Sequence, residues 1–292
     1  MKYAVADTGS NTIRLAIYTY ENKKLTQIYN EAVFANLAGY IQDNTLTKEG
    51  IDRAVDAILT HKKTTEQHGC KLHVFATAAI RNAKNTQEIC DVIRKKTGCE
   101  VDLVSGSDEA LLSFRGARED FPVEQGVMTD VGGGSSEVIW FEGNEAKAFH
   151  SVPWGGLKAF KDFVGEGLPN EAQMQTIIRS ITDVLEQGKE FDKVKTENLC
   201  VVGGSVRAAK KLAEAMLGET KITLSVVDKL LSYIQNNPFV SRTMICKVAP
   251  KRADTIVPAL CIYAAIGHYF GAENIYFSDN GIKEGYVLQN LI

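Results

Sequence analysis

Asp7-Thr8-Gly9-Ser10-Asn11 and Asp130-Val131-Gly132-Gly133-Gly134-Ser135-Ser136-Glu137 decide the fold of this chain. Each follows a short apolar run and leads into another. The first lies between Tyr3-Ala4-Val5-Ala6 and Ile13-Arg14-Leu15-Ala16-Ile17, the second between Val127-Met128 and Val138-Ile139-Trp140-Phe141. Turns of glycine and small hydroxyl residues let successive backbone N–H groups point at one anion. The aspartate ending each entering strand is poised to hold a hard cation beside that anion. A hairpin alone needs one or two such residues and no ligand. Three consecutive glycines between Asp130 and Glu137 exceed that need. One loop near the start of each half implies a duplicated domain with phosphate held between the copies.

The pattern outward from the loops repeats. In the first half, strands near 2–7, 13–20 and 24–34 form a meander. A helix over 47–68 follows, with Ile51, Val55, Ile58 and Leu59 at helical spacing. Then come a strand at 72–76, a helix from the capping-box pair Asn85 and Glu88 to just before Gly98, a strand at 101–104 and a helix at 108–117. In the second half, strands near 126–131, 137–142 and 145–152 precede a helix that begins after Pro169 and runs to about Gln187, proline being a good first-turn residue. A strand at 199–202 ends in Gly203-Gly204-Ser205, and a helix follows at 206–216. The stretch 225–270 is an extra helical insertion of two helices, the first capped by Ser225 or Asp228 and the second running from Arg252 to Phe270. A strand at 275–278 and a helix at 283–291 finish the chain. The expected domains are 1–121 and 122–292, joined by a polar linker near 119–125 that holds Pro122.

Composition narrows the class. The 292 residues are 45% hydrophobic and 24% charged, enough apolar material for two cores. A net charge of −3 excludes a general nucleic-acid binder, so any polyanion must be held locally. The six cysteines form no C-x-x-C pair and read as buried free thiols. No leading apolar stretch or membrane-length run is visible, so a cytoplasmic protein without a membrane partner is expected. Of the five histidines, His61 and His68 read as solvated on a polar helix face, and none is assigned a catalytic role.

These motifs resemble the actin, sugar kinase and Hsp70 superfamily. Within it they resemble the exopolyphosphatase and guanosine pentaphosphate phosphatase (Ppx/GppA) family, in a short two-domain form. The similarity is carried by Asp7-x-Gly9-Ser10-Asn11 with Arg14-Leu15, by Ala76-Thr77-Ala78-Ala79-Ile80-Arg81-Asn82-Ala83, by Ser105-Gly106-Ser107-Asp108-Glu109-Ala110 and by 130–137. Gly203-Gly204-Ser205 and Arg252-Ala253-Asp254 match later segments. The resemblance implies an α/β protein of two duplicated RNase H-like (actin-like ATPase) domains with a cleft between them. Two departures stand out. Residues 30–36 carry no basic side chain, and a late arginine of the family pattern is Lys283 in Gly281-Ile282-Lys283-Glu284-Gly285. An ammonium cannot grip phosphate bidentately, so short chains or a nucleotide are expected substrates rather than long polymer held tightly.

The implied reaction is hydrolysis of a phosphoanhydride. It needs charge neutralisation, an in-line water and a base. The resemblance places Glu109 as the base. Gly9, Ser10, Asn11, Gly132, Gly133, Gly134 and Ser135 would bind phosphate, with Arg81 as a planar fork on a terminal phosphate. Asp7, Asp130 and Glu137 would hold Mg²⁺ or another hard divalent cation. The expected activity is release of terminal orthophosphate from polyphosphate, with the 5′ γ-phosphate of guanosine pentaphosphate as the alternative; guanosine tetraphosphate could also bind. A kinase of the same superfold and a non-catalytic sensor are rival classes, but a sensor has no need of the base. Apolar residues of 225–270 could pair two copies as a homodimer or cover the sheet.

Overall fold

The chain is described over all 292 residues by a computed structural model. It contains two compact units. One comprises Met1–Leu112 with Ile282–Ile292, and the other Ser113–Gly281. The division falls inside a helix, nine residues before the expected boundary at 121/122, and the last helix belongs to the first unit.

The first unit runs β1 (Lys2–Thr8), β2 (Thr12–Glu21), β3 (Lys24–Phe34), the small ribbon β4 (Ile41–Gln42) and β5 (Thr45–Leu46), α1 (Lys48–Gln67), β6 (Leu72–Ala76), α2 (Ala78–Arg81), α3 (Thr86–Thr97), β7 (Val101–Leu103) and α4 (Gly106–Ala117). The second runs β8 (Gln125–Val131), β9 (Ser136–Glu142), β10 (Glu145–Val152), α5 (Gly156–Phe163), α6 (Glu171–Gln187), β11 (Asn198–Val202), α7 (Gly204–Leu217), α8 (Leu224–Asn236), α9 (Pro238–Val248), α10 (Ile256–Phe270) and β12 (Asn274–Ser278). The closing helix is α11 (Ile282–Asn290).

The two five-stranded sheets have matching orders, β3-β2-β1-β6-β7 and β10-β9-β8-β11-β12. In both, the first three strands of the repeat pair antiparallel and the last two add in parallel. The duplicated α/β architecture expected from the loops is borne out. Each loop joins a central strand to its antiparallel neighbour. Ala4, Val5 and Ala6 of β1 and Val127 and Met128 of β8 are fully buried, because helices cover both sheet faces.

Local sequence accounts for most elements. Thr47 caps α1 by accepting from Gly50 N at 3.3 Å, and Ile51, Val55 and Ile58 face the core. In α10 every residue from 256 to 267 is buried, so its apolar residues cover the second sheet.

Five readings need correction. Stretch 225–270 holds three helices rather than two, because Pro238 takes the first position of a new helix after Asn237. The cap of α8 is Thr223, which accepts from Val226 N at 3.2 Å. Asn85 stands at the N-cap of α3 but its side chain accepts from no helix N–H; its amide instead brackets Leu46, accepting from its N and donating to its O, both at 3.0 Å. In α6, which begins after Pro169 as expected, the cap is Asn170 in a reciprocal capping box with Gln173, so the proline lies just before the cap rather than in the first turn. His61 is fully buried, with Nε2 at 3.1 Å from Ile13 O and Nδ1 at 3.3 Å from Glu31 Oε2. It ties α1 to the strands that follow the first loop.

Candidate active site

The second loop is held from behind. Gly132 N donates to Ser135 O at 3.0 Å and closes the turn. Gly132 O accepts from Gly156 N at 2.9 Å, and Gly133 O accepts from Leu157 N and Lys158 N at 3.1 and 2.9 Å. The first turn of α5 thus caps itself on the carbonyls of the loop. A trans peptide points its N–H opposite its C=O. The N–H groups of Gly133 and Gly134 are therefore aimed away from α5, in the sense an anion needs. Gly155 makes this contact feasible, because a β-carbon there would lie 2.2 Å from Gly132 O. Neither α5 nor Gly155 was anticipated from sequence; the Gly155-Gly156 pair after a strand was the available signal.

The first loop is held in the same way by the segment after β3. Ser10 O accepts from Ala38 N at 2.9 Å, and Asn11 O accepts from Ala35 N and Asn36 N at 3.1 and 2.8 Å. The N–H of Asn11 is turned away from that segment by the same geometry. Asp7 sits across from Arg14 on the β1–β2 ladder.

Asp130 and Glu137 are direct cross-strand partners on β8 and β9. Like charges so placed repel, and hydroxyl donors offset this. Ser113 Oγ donates to Asp130 Oδ2 at 2.8 Å. Ser135 Oγ and Ser151 Oγ donate to Glu137 Oε1 at 2.9 and 3.1 Å, and Glu137 is buried. No group of three or more His, Cys, Asp or Glu side chains is gathered to hold a metal ion. Asp7 belongs to the first unit and the other two carboxylates to the second. The paired hard oxygens of Asp130 and Glu137 suit Mg²⁺, which takes one or two carboxylates and completes its shell with substrate oxygens and water.

Glu109 and Arg81, separated by 28 positions, meet in the first unit. Arg81 ends the short α2 after β6, and Glu109 lies in the first turn of α4 after β7. Because β6 and β7 are parallel neighbours, the segments that follow them emerge side by side. Arg81 Nη1 donates to Glu109 Oε2 at 2.9 Å and to Val104 O at 2.7 Å. Each side chain is roughly one-quarter exposed. The carboxylate is thus fixed in direction yet open to solvent.

A polar cluster around Asp130 was not assigned from sequence. Gly203 has φ of +100°, a conformation for glycine, and a β-carbon there would lie 3.4 Å from Asp130 Oδ1. Arg252 Nη1 donates to Ser205 Oγ at 3.0 Å, and its other terminal nitrogen occupies the space a side chain at Gly204 would need. Tyr263 is buried, and its hydroxyl is pushed far above the usual tyrosine range, first by burial and then by the charge of Asp130. Arg252, Ser205 and Arg207 act in the opposite direction, and Arg207 also pairs with Asp279. Gly203-Gly204-Ser205 and Arg252 are legible as motifs, but only the fold brings Gly203 to Asp130 and Arg252 to Ser205.

A duplicated five-stranded α/β fold with a glycine-rich loop in each copy is an actin-like architecture. The sequence model of the Ppx/GppA phosphatase family matches residues 16–292, and the chain belongs to that family. It is 26% identical to exopolyphosphatase 1 of Mycobacterium tuberculosis, over the whole chain and 88% of that protein. It is 23% identical to guanosine-5′-triphosphate,3′-diphosphate pyrophosphatase of Aeromonas hydrophila, over 98% of this chain and 58% of that one. Among solved structures, the Ppx/GppA family member of Aquifex aeolicus superposes with a TM-score of 0.87 at 20% identity, covering all of this chain and 97% of that one. An exopolyphosphatase from Cytophaga hutchinsonii superposes with a TM-score of 0.85 at 24% identity, covering 99% and 97%. The protein is therefore a hydrolase, which sets aside the kinase and sensor readings. No helix is long and apolar enough to cross a membrane.

Proposed function

We propose that this phosphatase releases terminal orthophosphate from inorganic polyphosphate, with short chains preferred. The observation that carries the reading is the Glu109 carboxylate held by Arg81 at 2.9 Å, an oriented and partly solvated base. In this account Glu109 takes a proton from the water that attacks the terminal phosphorus. In the second unit the directed N–H groups of Gly133 and Gly134 receive phosphoryl oxygens; in the first, the loop of Gly9, Ser10 and Asn11 is suited to bind phosphate in its own right. Ser135 serves by holding Glu137 as well as by lining the loop. Asp130 and Glu137 of the second unit would hold Mg²⁺, and the ion would neutralise charge on the anhydride; Asp7 of the first unit is a separate carboxylate able to take a hard cation. Arg81 orients Glu109 and offers its guanidinium edge to a terminal phosphate.

The substrate assignment is supported by exopolyphosphatase relatives matched across most of their own length. Guanosine pentaphosphate is the second reading, because its 5′ γ-phosphate presents the same anhydride and the Aeromonas relative bears that activity in its name. Phosphate release from short polyphosphate, long polyphosphate and guanosine pentaphosphate, each with Mg²⁺, separates the two. Polyphosphate turnover well above nucleotide turnover supports the first reading, and the reverse order replaces it with the second.

A further inference from the structure

We infer that α11 is a positioning element for catalysis, and that Gly285, with the Tyr18–Glu284 pair, sets where Glu109 stands. This rests on the reading of Glu109 as the base.

Both α4 and α11 pack on one face of the first sheet. Val5, Ala16, Tyr18, Leu112 and Tyr286 lie in one buried cluster there. The contact between the helices is backbone against side-chain position. A β-carbon at Gly285 would lie 1.8 Å from Leu112 O and 2.6 Å from Leu112 C. No rotamer change relieves such a contact, so the helices must part by about 1 Å or more to admit even alanine. Leu112 is three residues beyond Glu109, one turn along the same face of α4.

The last helix is itself pinned. Glu284 is only 5% exposed, and the buried Tyr18 hydroxyl donates to it. Burying a carboxylate is costly unless its partner is fixed, which makes this pair a registration device. Tyr286 donates to Asp102 and stacks on Phe75, with ring centroids 4.7 Å apart. Three consecutive residues of α11 thus engage β2, α4 and the β6–β7 edge. The helix cannot retreat from α4 without breaking the buried Tyr18–Glu284 hydrogen bond. Strain at Gly285 therefore passes into α4 and disturbs the 2.9 Å bond between Arg81 and Glu109. Misplacing a catalytic group by about 1 Å costs on the order of 10²-fold in rate.

The test is a double-mutant cycle on phosphate release from polyphosphate with Mg²⁺. Gly285→Ala is expected to lower kcat by about 10- to 100-fold with KM within about twofold. Combined with Glu109→Gln, it should cost little more than Glu109→Gln alone, because both act through one carboxylate. Tyr18→Phe carries the same cycle if Gly285→Ala does not fold, with a smaller loss. Normal kcat in both variants, or a full additional loss in the Glu109→Gln background, overturns the inference. Normal turnover in Glu109→Gln by itself instead overturns the base assignment.

Discussion

Gly155 stands against Gly132 so closely that a β-carbon at 155 would lie 2.2 Å from the Gly132 carbonyl oxygen. That contact brings the start of α5 onto the loop carbonyls and turns the N–H groups of Gly133 and Gly134 outward. Gly155→Ala must push the loop out of place. Phosphate release should fall by about 10²-fold, and stability should fall by about 1–3 kcal/mol. Steady-state kinetics beside urea unfolding checks both. Retained activity would mean that the loop does not bind substrate.

Ser113 donates to Asp130 at 2.8 Å and fixes the carboxylate that faces Glu137. Outer partners of metal ligands typically contribute 10–100-fold to affinity. Ser113→Ala should raise the Mg²⁺ concentration for half-maximal activity by about tenfold, and Asp130→Asn by more. Calorimetric titration with Mg²⁺ in the presence of a slowly hydrolysed polyphosphate analogue reads this without turnover.

Arg81 uses one terminal nitrogen for both Val104 O and Glu109. Lysine keeps the charge but loses the planar fork. Arg81→Lys should lower kcat by about 10- to 100-fold, since an oriented general base contributes about 10²–10⁴. The variant should remain folded, because the pair is partly exposed. Melting temperature and kcat measured together separate the two effects.

Burial pushes the thiols of Cys200 and Cys261 up to about 12, from a usual value of 9.0. The folded state keeps these protons above pH 9, whereas the unfolded chain releases them. Stability from this source is therefore intact below pH 9 and falls as pH rises from 9 toward 12. Urea midpoints should drop over that window, and less so in Cys261→Ala than in the parent. A thiol reagent should label exposed Cys246 first and reach Cys200 and Cys261 only on unfolding.

Much of the architecture was legible because each loop is bracketed by apolar runs whose length and alternation suit strands. The helix ending at Gln187 and the start of α1 at Thr47 followed from local chemistry. What local pattern could not supply was partnership. His61 lies among polar residues in sequence, yet α1 turns it onto Ile13 O. The eight residues of α5 are too few for a clear helical period, and their cap is the loop itself. Arg81 and Glu109 meet only because β6 and β7 are neighbours. Gly281-Ile282-Lys283-Glu284-Gly285 was read for its lysine; the fold shows that Glu284 and Gly285 face Tyr18 and Leu112.

Glu109 is proposed as the base of a Mg²⁺-assisted phosphoanhydride hydrolase. The most direct test is orthophosphate release from short polyphosphate by the parent and by Glu109→Gln at saturating Mg²⁺. The parent should release orthophosphate measurably, and the variant should show a kcat lower by about 10²–10⁴-fold with substrate binding nearly unchanged. Equal turnover in the two proteins would contradict that assignment.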